Sequence, residues 1–185
     1  MRRKNGFTIV ETSLVLAIGG LILLMVFIAL PGVFRNQRDA ERRDDVLLFL
    51  NKLKNFQANN NRGALPNGEG KITFGMSGDS NTWAGFYHDF FNNSFADPSS
   101  GEPYIWYVLS CGSTAGMCNY NVITSDSGEK YGLEKLNGDF DSNGFTMYIV
   151  KNAICDGEKA MYSANPRNVA VLYKLEGGGI FCANT

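Results

Sequence analysis

The sequence predicts an α+β fold in which a long N-terminal helical spine, membrane-spanning and then amphipathic, packs on a C-terminal antiparallel β-sheet head. Three observations predict it. Thr12 to Phe34 is a run of 23 residues without a charge. Val46, Phe49, Leu50, Leu53 and Phe56 recur at the spacing of one helix face. Beyond Pro103, β-branched and aromatic residues gather into short runs between Gly, Asn and Ser. In a chain of 185 residues, what remains after the anchor suffices for one head of ordinary size.

The first element opens on a basic head, Met1-Arg2-Arg3-Lys4-Asn5-Gly6, followed by Phe7-Thr8-Ile9-Val10-Glu11. As helix, the uncharged run extends ~35 Å, enough to cross a hydrocarbon core of ~30 Å. An acid inside such a segment is costly, ~2.5–3.5 kcal/mol for Asp at a helix centre and less near the interface, so Glu11 calls for a cation. A secretory signal would end in small residues, but this run ends in Phe27-Ile28-Ala29-Leu30-Pro31 and reads as an anchor. Arg2, Arg3 and Lys4 favour a cytoplasmic start, against Arg35, Arg38, Arg42 and Arg43 on the other flank. A cut after Gly6 would supply the cation, because the freed α-amine of Phe7 lies one helical turn before Glu11.

Gly6 followed by Phe7-Thr8-Ile9-Val10-Glu11 resembles the processing site of type IV pilins and pseudopilins. The resemblance implies a pilin-like fold, with a cleaved leader at 1–6, a membrane and assembly helix at 7–34, and an amphipathic helix plus globular head at 35–185. It implies that a prepilin peptidase cuts between Gly6 and Phe7, that Phe7 is N-methylated, and that Glu11 pairs with the amine of a neighbouring subunit during assembly. It further implies a helical filament of identical subunits, which are surrounded by membrane lipid before an assembly platform and an ATPase polymerise them. The chain departs from the commonest pilins at Pro31, which falls three residues late and so faces ~60° from the usual side. Gly19, Gly20, Pro31 and Gly32 are the candidate kink positions. Pro31 removes the bond to the Phe27 carbonyl, which at ~3 kcal/mol in an isolated helix predicts a kink or melted turn.

Past Pro31 the apolar stripe from Val46 to Phe56 makes the helix amphipathic, and Asn59-Asn60-Asn61-Arg62-Gly63-Ala64-Leu65-Pro66 stops it. From Phe7 to about Asn59 the helix is ~80 Å long, a shared spine rather than a core element. Coiled-coil heptads fail across Arg35 to Asp45. Trp83, Phe86, Tyr87, Phe90 and Phe91 also follow helical spacing, and such a stripe reads as core before it reads as a stacking platform. His88 is the sole histidine, with no second histidine for a metal and no nucleophile beside it, so it reads as a surface or capping group.

Tyr104–Leu109, Phe145–Val150 and Asn168–Lys174 read as strands. The last leads through Glu176-Gly177-Gly178-Gly179 into Ile180-Phe181-Cys182 as a hairpin. Cys111, Cys118, Cys155 and Cys182 are an even count in a chain exported across a membrane, and disulfides are the first reading over zinc or a nucleophile. Of three connectivities, Cys111 with Cys118 and Cys155 with Cys182 is favoured, which would staple the C-terminal loop to the sheet as in many pilins.

Asp139-Phe140-Asp141-Ser142-Asn143-Gly144 begins like a calcium loop, but its twelfth position is Val150 where a bidentate glutamate is required. A polar turn is the better reading, and the chain is expected to carry no metal and no cofactor. The leader holds three of 17 basic residues, leaving 14 against 18 acidic, so bulk charge recruits no nucleic acid. Two function classes remain. A structural filament subunit fits the resemblance, with a secretion pseudopilin as its variant. A membrane-tethered enzyme or receptor would need a clustered His, Ser, Asp or Cys constellation, which the head does not show.

Overall fold

The computed structural model describes Gly6 and residues 8–59, 63–91, 95–111 and 145–185, with backbone alone at 123–124 and 130–131. It divides between Gln37 and Arg38 into two compact units. Helix α1 runs Ile9–Asn59 and contributes to both. The helix continues through Gly19, Gly20, Pro31 and Gly32. A proline deletes one intrahelical donor, and the turns on either side keep theirs. Met1–Asn5, Phe7, Asn60–Arg62, Cys118, Asp139, Asp141 and Asn143, on which the sequence raises expectations, lie outside the described residues.

The elements of the second unit follow in order: β1 (Gly70–Ile72), α2 (Trp83–Phe91), β2 (Ile105–Ser110), β3 (Ile123–Thr124), β4 (Lys130–Tyr131), β5 (Thr146–Lys151), β6 (Ala153–Asp156), β7 (Lys159–Tyr162), β8 (Val169–Lys174) and β9 (Ile180–Asn184). Five strands form one sheet in the order β1-β2-β5-β8-β9, while β3-β4 and β6-β7 are separate two-stranded sheets. Pairing in the main sheet is antiparallel at β1·β2, β5·β8 and β8·β9. β2 and β5 are parallel, Ile105 opposite Thr146 through Ser110 opposite Lys151, so the sheet is mixed rather than wholly antiparallel.

Both faces of this sheet are covered. Trp106, Val108, Met147, Ile149, Val169, Val171 and Tyr173 point to a core shared with Val46, Phe49, Leu50, Leu53 and Phe56 of α1 and with α2. Tyr107, Leu109, Tyr148, Val150, Ala170 and Leu172 point the other way, where Ala153 and Ala160 of the β6-β7 hairpin meet them. Two buried faces explain why these strands read as continuous apolar runs instead of alternating with polar residues.

The first core is aromatic. Phe49 stands edge-on to Trp106 at 4.9 Å between ring centroids and to Phe86 at 5.9 Å. Helix α2 is started by Thr82, whose hydroxyl accepts from the Gly85 N–H at 3.2 Å. Gly85 must be glycine, because a Cβ there would lie 2.1 Å from the Asp79 carbonyl oxygen. The β8-β9 turn uses left-handed backbone at Gly178 and Gly179, with φ of 99° and 81°. His88 is exposed, its Nδ1 3.2 Å from Asp89 Oδ1.

Candidate functional site

At the start of α1, Thr8 acts as the N-cap. Its carbonyl accepts from Thr12 N–H at 3.2 Å and its hydroxyl from Glu11 N–H at 3.3 Å. Thr8-x-x-Glu11 has the spacing of a capping box, and Glu11 stands where the positive end of the helix dipole favours an anion. The Glu11 carboxylate is exposed and has no ion-pair partner among the described residues. Gly6, just ahead, is exposed with no atom within 4 Å of where a Cβ would stand.

The helix behind Glu11 is long and apolar enough to cross a membrane. Its large side chains are uncovered on every side, including Leu16, Leu24, Phe27 and Ile28. Its hydroxyls are satisfied inside the helix, Thr12 Oγ1 donating to the Ile9 carbonyl and Ser13 Oγ to that of Val10, both at 2.9 Å. Such a surface wants lipid or other apolar helices around it, since its backbone is helical and the Thr12 and Ser13 hydroxyls are paired internally. Gly19, Gly20 and Gly32 meet nothing within 4 Å of a notional Cβ.

In the second unit, α1 is locked to the head by a polar cluster that the spacing argument passed over. Arg42, with 4% of its side chain exposed, grips Asp97, with 1%, through Nε to Oδ2 at 2.7 Å and Nη2 to Oδ1 at 3.2 Å. Its Nη1 reaches Asp39 Oδ1 at 3.1 Å and Glu176 Oε2 at 3.5 Å. Asp39 in turn accepts the backbone N–H of Glu176 at 2.7 Å and of Gly177 at 2.8 Å, so the β8-β9 turn hangs on the helix. Arg38 holds Glu176 with two bonds, at 2.7 and 2.6 Å. Tyr173 donates to Asp97 at 2.7 Å, and Tyr104 to Asp45 at 2.7 Å.

Burial alone would raise Asp97, but bonds from Arg42, Ser99 and Tyr173 outweigh it and hold the carboxyl well below the usual range. Asp39 is likewise pushed up by burial and brought lower on balance by the Gly177 and Glu176 N–H groups and by Arg42. Asp45 moves the other way, raised by burial against the Tyr104 bond. Asp39 and Arg42 sit seven and four residues before Val46. They therefore continue the apolar stripe backwards, and extending that period would have found them.

Cys155 on β6 and Cys182 on β9 are joined, their Cα atoms 5.8 Å apart, which fastens the β6-β7 hairpin to the edge of the main sheet. Cys111 is buried and disulfide-bonded, and its expected partner Cys118 lies outside the described residues.

A family model described as the prokaryotic N-terminal methylation motif matches residues 1–27. No curated protein and no solved structure matches the chain. The motif covers the glycine, the capped first turn with its exposed acid, and most of the apolar helix that finds no cover in its own chain. By that stretch, the chain carries the signature of type IV prepilins and pseudopilins.

Proposed function

We propose that this chain is a structural subunit of a type IV pilus filament. It is made as a single-pass prepilin in the cytoplasmic membrane, cut after Gly6 by a prepilin peptidase and N-methylated at Phe7. An assembly platform and ATPase supplied by other proteins then polymerise it into an extracellular filament on the cell surface. The observation that carries this reading is the uncovered apolar helix of α1 with a lone carboxylate, Glu11, at its start. In lipid that helix is solvated by acyl chains. In a filament, the same surface is solvated by the helices of neighbouring copies, and the Glu11 carboxylate meets a neighbour's Phe7 amine.

The test is Glu11→Gln. Removing the charge lowers the cost of insertion while stranding the partner amine, so membrane insertion and leader removal should continue and filament yield should collapse. Normal filaments from this variant would refute the assembly contact. Wild-type material that stays in the envelope as short fibres, with none on the surface, would assign the chain to a secretion pseudopilin instead.

A further inference from the structure

The main sheet of the head ends in two edges that run in opposite directions. With β2 and β5 parallel and the other pairings antiparallel, β9 runs with β2 while β1 runs against it. A second head in the same orientation would therefore set its β1 antiparallel beside β9 and continue the sheet. Leu175 N–H donates to the Gly179 carbonyl and Thr185 N–H to that of Val169, so alternation turns the backbone groups of Ile180, Cys182 and Asn184 outward. On β2, Ile105 N–H donates to Phe145 and Cys111 N–H to Lys151, which turns Trp106 and Val108 towards their β1 partners Ile72 and Gly70. The backbone groups of Lys71 therefore point outward.

The two edges also differ in charge. Ile180–Asn184 holds neither a charge nor a proline, the usual guards of a free edge. The exposed Lys71 does guard β1. It stands 5.8 Å from the ring of Tyr107, on the sheet face that carries the β6-β7 hairpin, and has no ion-pair partner among the described residues. On that same face the Cys155–Cys182 bond holds the β6-β7 turn against β9, so close that a Cβ on Gly179 would lie 2.7 Å from Glu158 Oε1. Asp156 and Glu158 of this turn are exposed and have no ion-pair partner among the described residues either.

We propose that β9 takes β1 of a second copy as its next strand, with Lys71 of the incoming copy opposite Cys182 and its ammonium turned to Asp156 and Glu158. In this register Glu69 to Thr73 spans the whole of β9, and the half-buried Ile72 of the incoming copy meets the half-buried Phe181. A lysine on an edge repels a chance strand and accepts one beside acids. The choice of a second copy rests on the filament reading above, in which all copies leave the membrane in one direction. Pairing β9 with β1 keeps that direction, whereas antiparallel pairing of β9 on β9 would reverse one copy.

The experiment treats sheared fibres of the full-length protein with a carbodiimide, which joins an amine to a carboxylate in contact with it, and maps the linked peptides by mass. Lys71 should be joined to Asp156 or Glu158. Within one chain β1 and β9 are four strand spacings apart, ~19 Å, so this link identifies two copies. Fibres in which Lys71 is joined to neither acid would overturn the pairing and leave the filament reading standing. The same link in membranes of cells that make no filament would keep the pairing and remove the pilus reading. In parallel, Lys71→Glu should lower the yield of assembled material at least about tenfold, and adding Asp156→Lys with Glu158→Lys should restore it. Lys71→Pro removes an outward donor that its own sheet does not use, and should lower the yield as far with the thermal midpoint of the head unchanged. Full yield from Lys71→Glu or Lys71→Pro, or no recovery with the reversed acids, would also overturn the pairing.

Discussion

The two parts of α1 are one helix in the backbone and two different objects in their surroundings. Before Gln37 its large apolar side chains are uncovered and find no partner in their own chain. After Arg38 one face is fully engaged, with Val46, Phe49 and Leu53 at the centre of an aromatic core and Arg42 and Asp39 in a buried polar lock. Each part therefore gets its stability from a different source. The head half is stabilised by contacts its own sequence encodes, whereas the apolar half depends on lipid or on other copies. Changes in the first should therefore read out as melting, and changes in the second as lost assembly.

The largest effect expected on melting is at the lock. Arg42→Ala leaves Asp97 and Asp39 buried without their cation, and removing one partner of a buried pair costs about 3–5 kcal/mol. At about 2–4 °C per kcal/mol for a chain of this size, calorimetry should find a midpoint lower by on the order of 10 °C. A change under about one degree would mean that the lock is not what joins α1 to the sheet.

The disulfide comes next. Cys155 and Cys182 are 27 residues apart, and closing such a loop stabilises by ~3–4 kcal/mol in the chain-entropy model. Cys155→Ser should free the β6-β7 hairpin from β9 and open the C-terminal strands to protease. Unchanged digestion kinetics would place the hairpin's hold in Ala153 and Ala160 instead.

Acid is a gentler probe of the same lock. Asp97 and Asp39 are held below the ordinary carboxylate range when folded. Their contribution is fully present above an unfolded value near ~3.9 and is lost as pH falls through the lower folded value. Asp45, raised in the fold, has the opposite sign and offsets part of that loss. The head's midpoint should stay level from about pH 7 to about pH 5 and fall below about pH 4. A fall already near pH 6 would point to groups outside the lock. The smallest effect expected is from a chelator, which should leave the midpoint unchanged if Asp139, Asp141 and Asn143 form a metal-free turn. A ligand at 100 times its dissociation constant would be worth ~2.7 kcal/mol, easily seen as a drop on its removal.

What was legible in the sequence was local. The Val46 to Phe56 stripe, the aromatic spacing of α2 and the apolar runs of β2, β5, β8 and β9 each declare themselves within a dozen residues, and each is where that spacing puts it. The parallel pairing of β2 with β5 was not legible, because strand direction is set by a connection of 35 residues and not by either strand. The β6-β7 hairpin was missed although Asp156-Gly157 is a turn signal between its short strands. The lock was missed for a different reason. Charged residues from Arg35 to Asp45 look like a solvated face, and only their periodicity shows that Asp39 and Arg42 turn inward while Glu41 and Asp44 turn out. At the N-terminus the acid was legible but the Thr8 cap that holds its backbone was not, since both functions share the same few residues.

On the proposed function, α1 becomes an assembly helix only when cleavage creates the amine that Glu11 lacks in its own chain. Intact-mass and N-terminal analysis of sheared surface material tests it most directly. Chains should begin at Phe7 and carry one added methyl group on that amine. Surface chains that retain Met1, with the basic leader still ahead of Gly6, would contradict it.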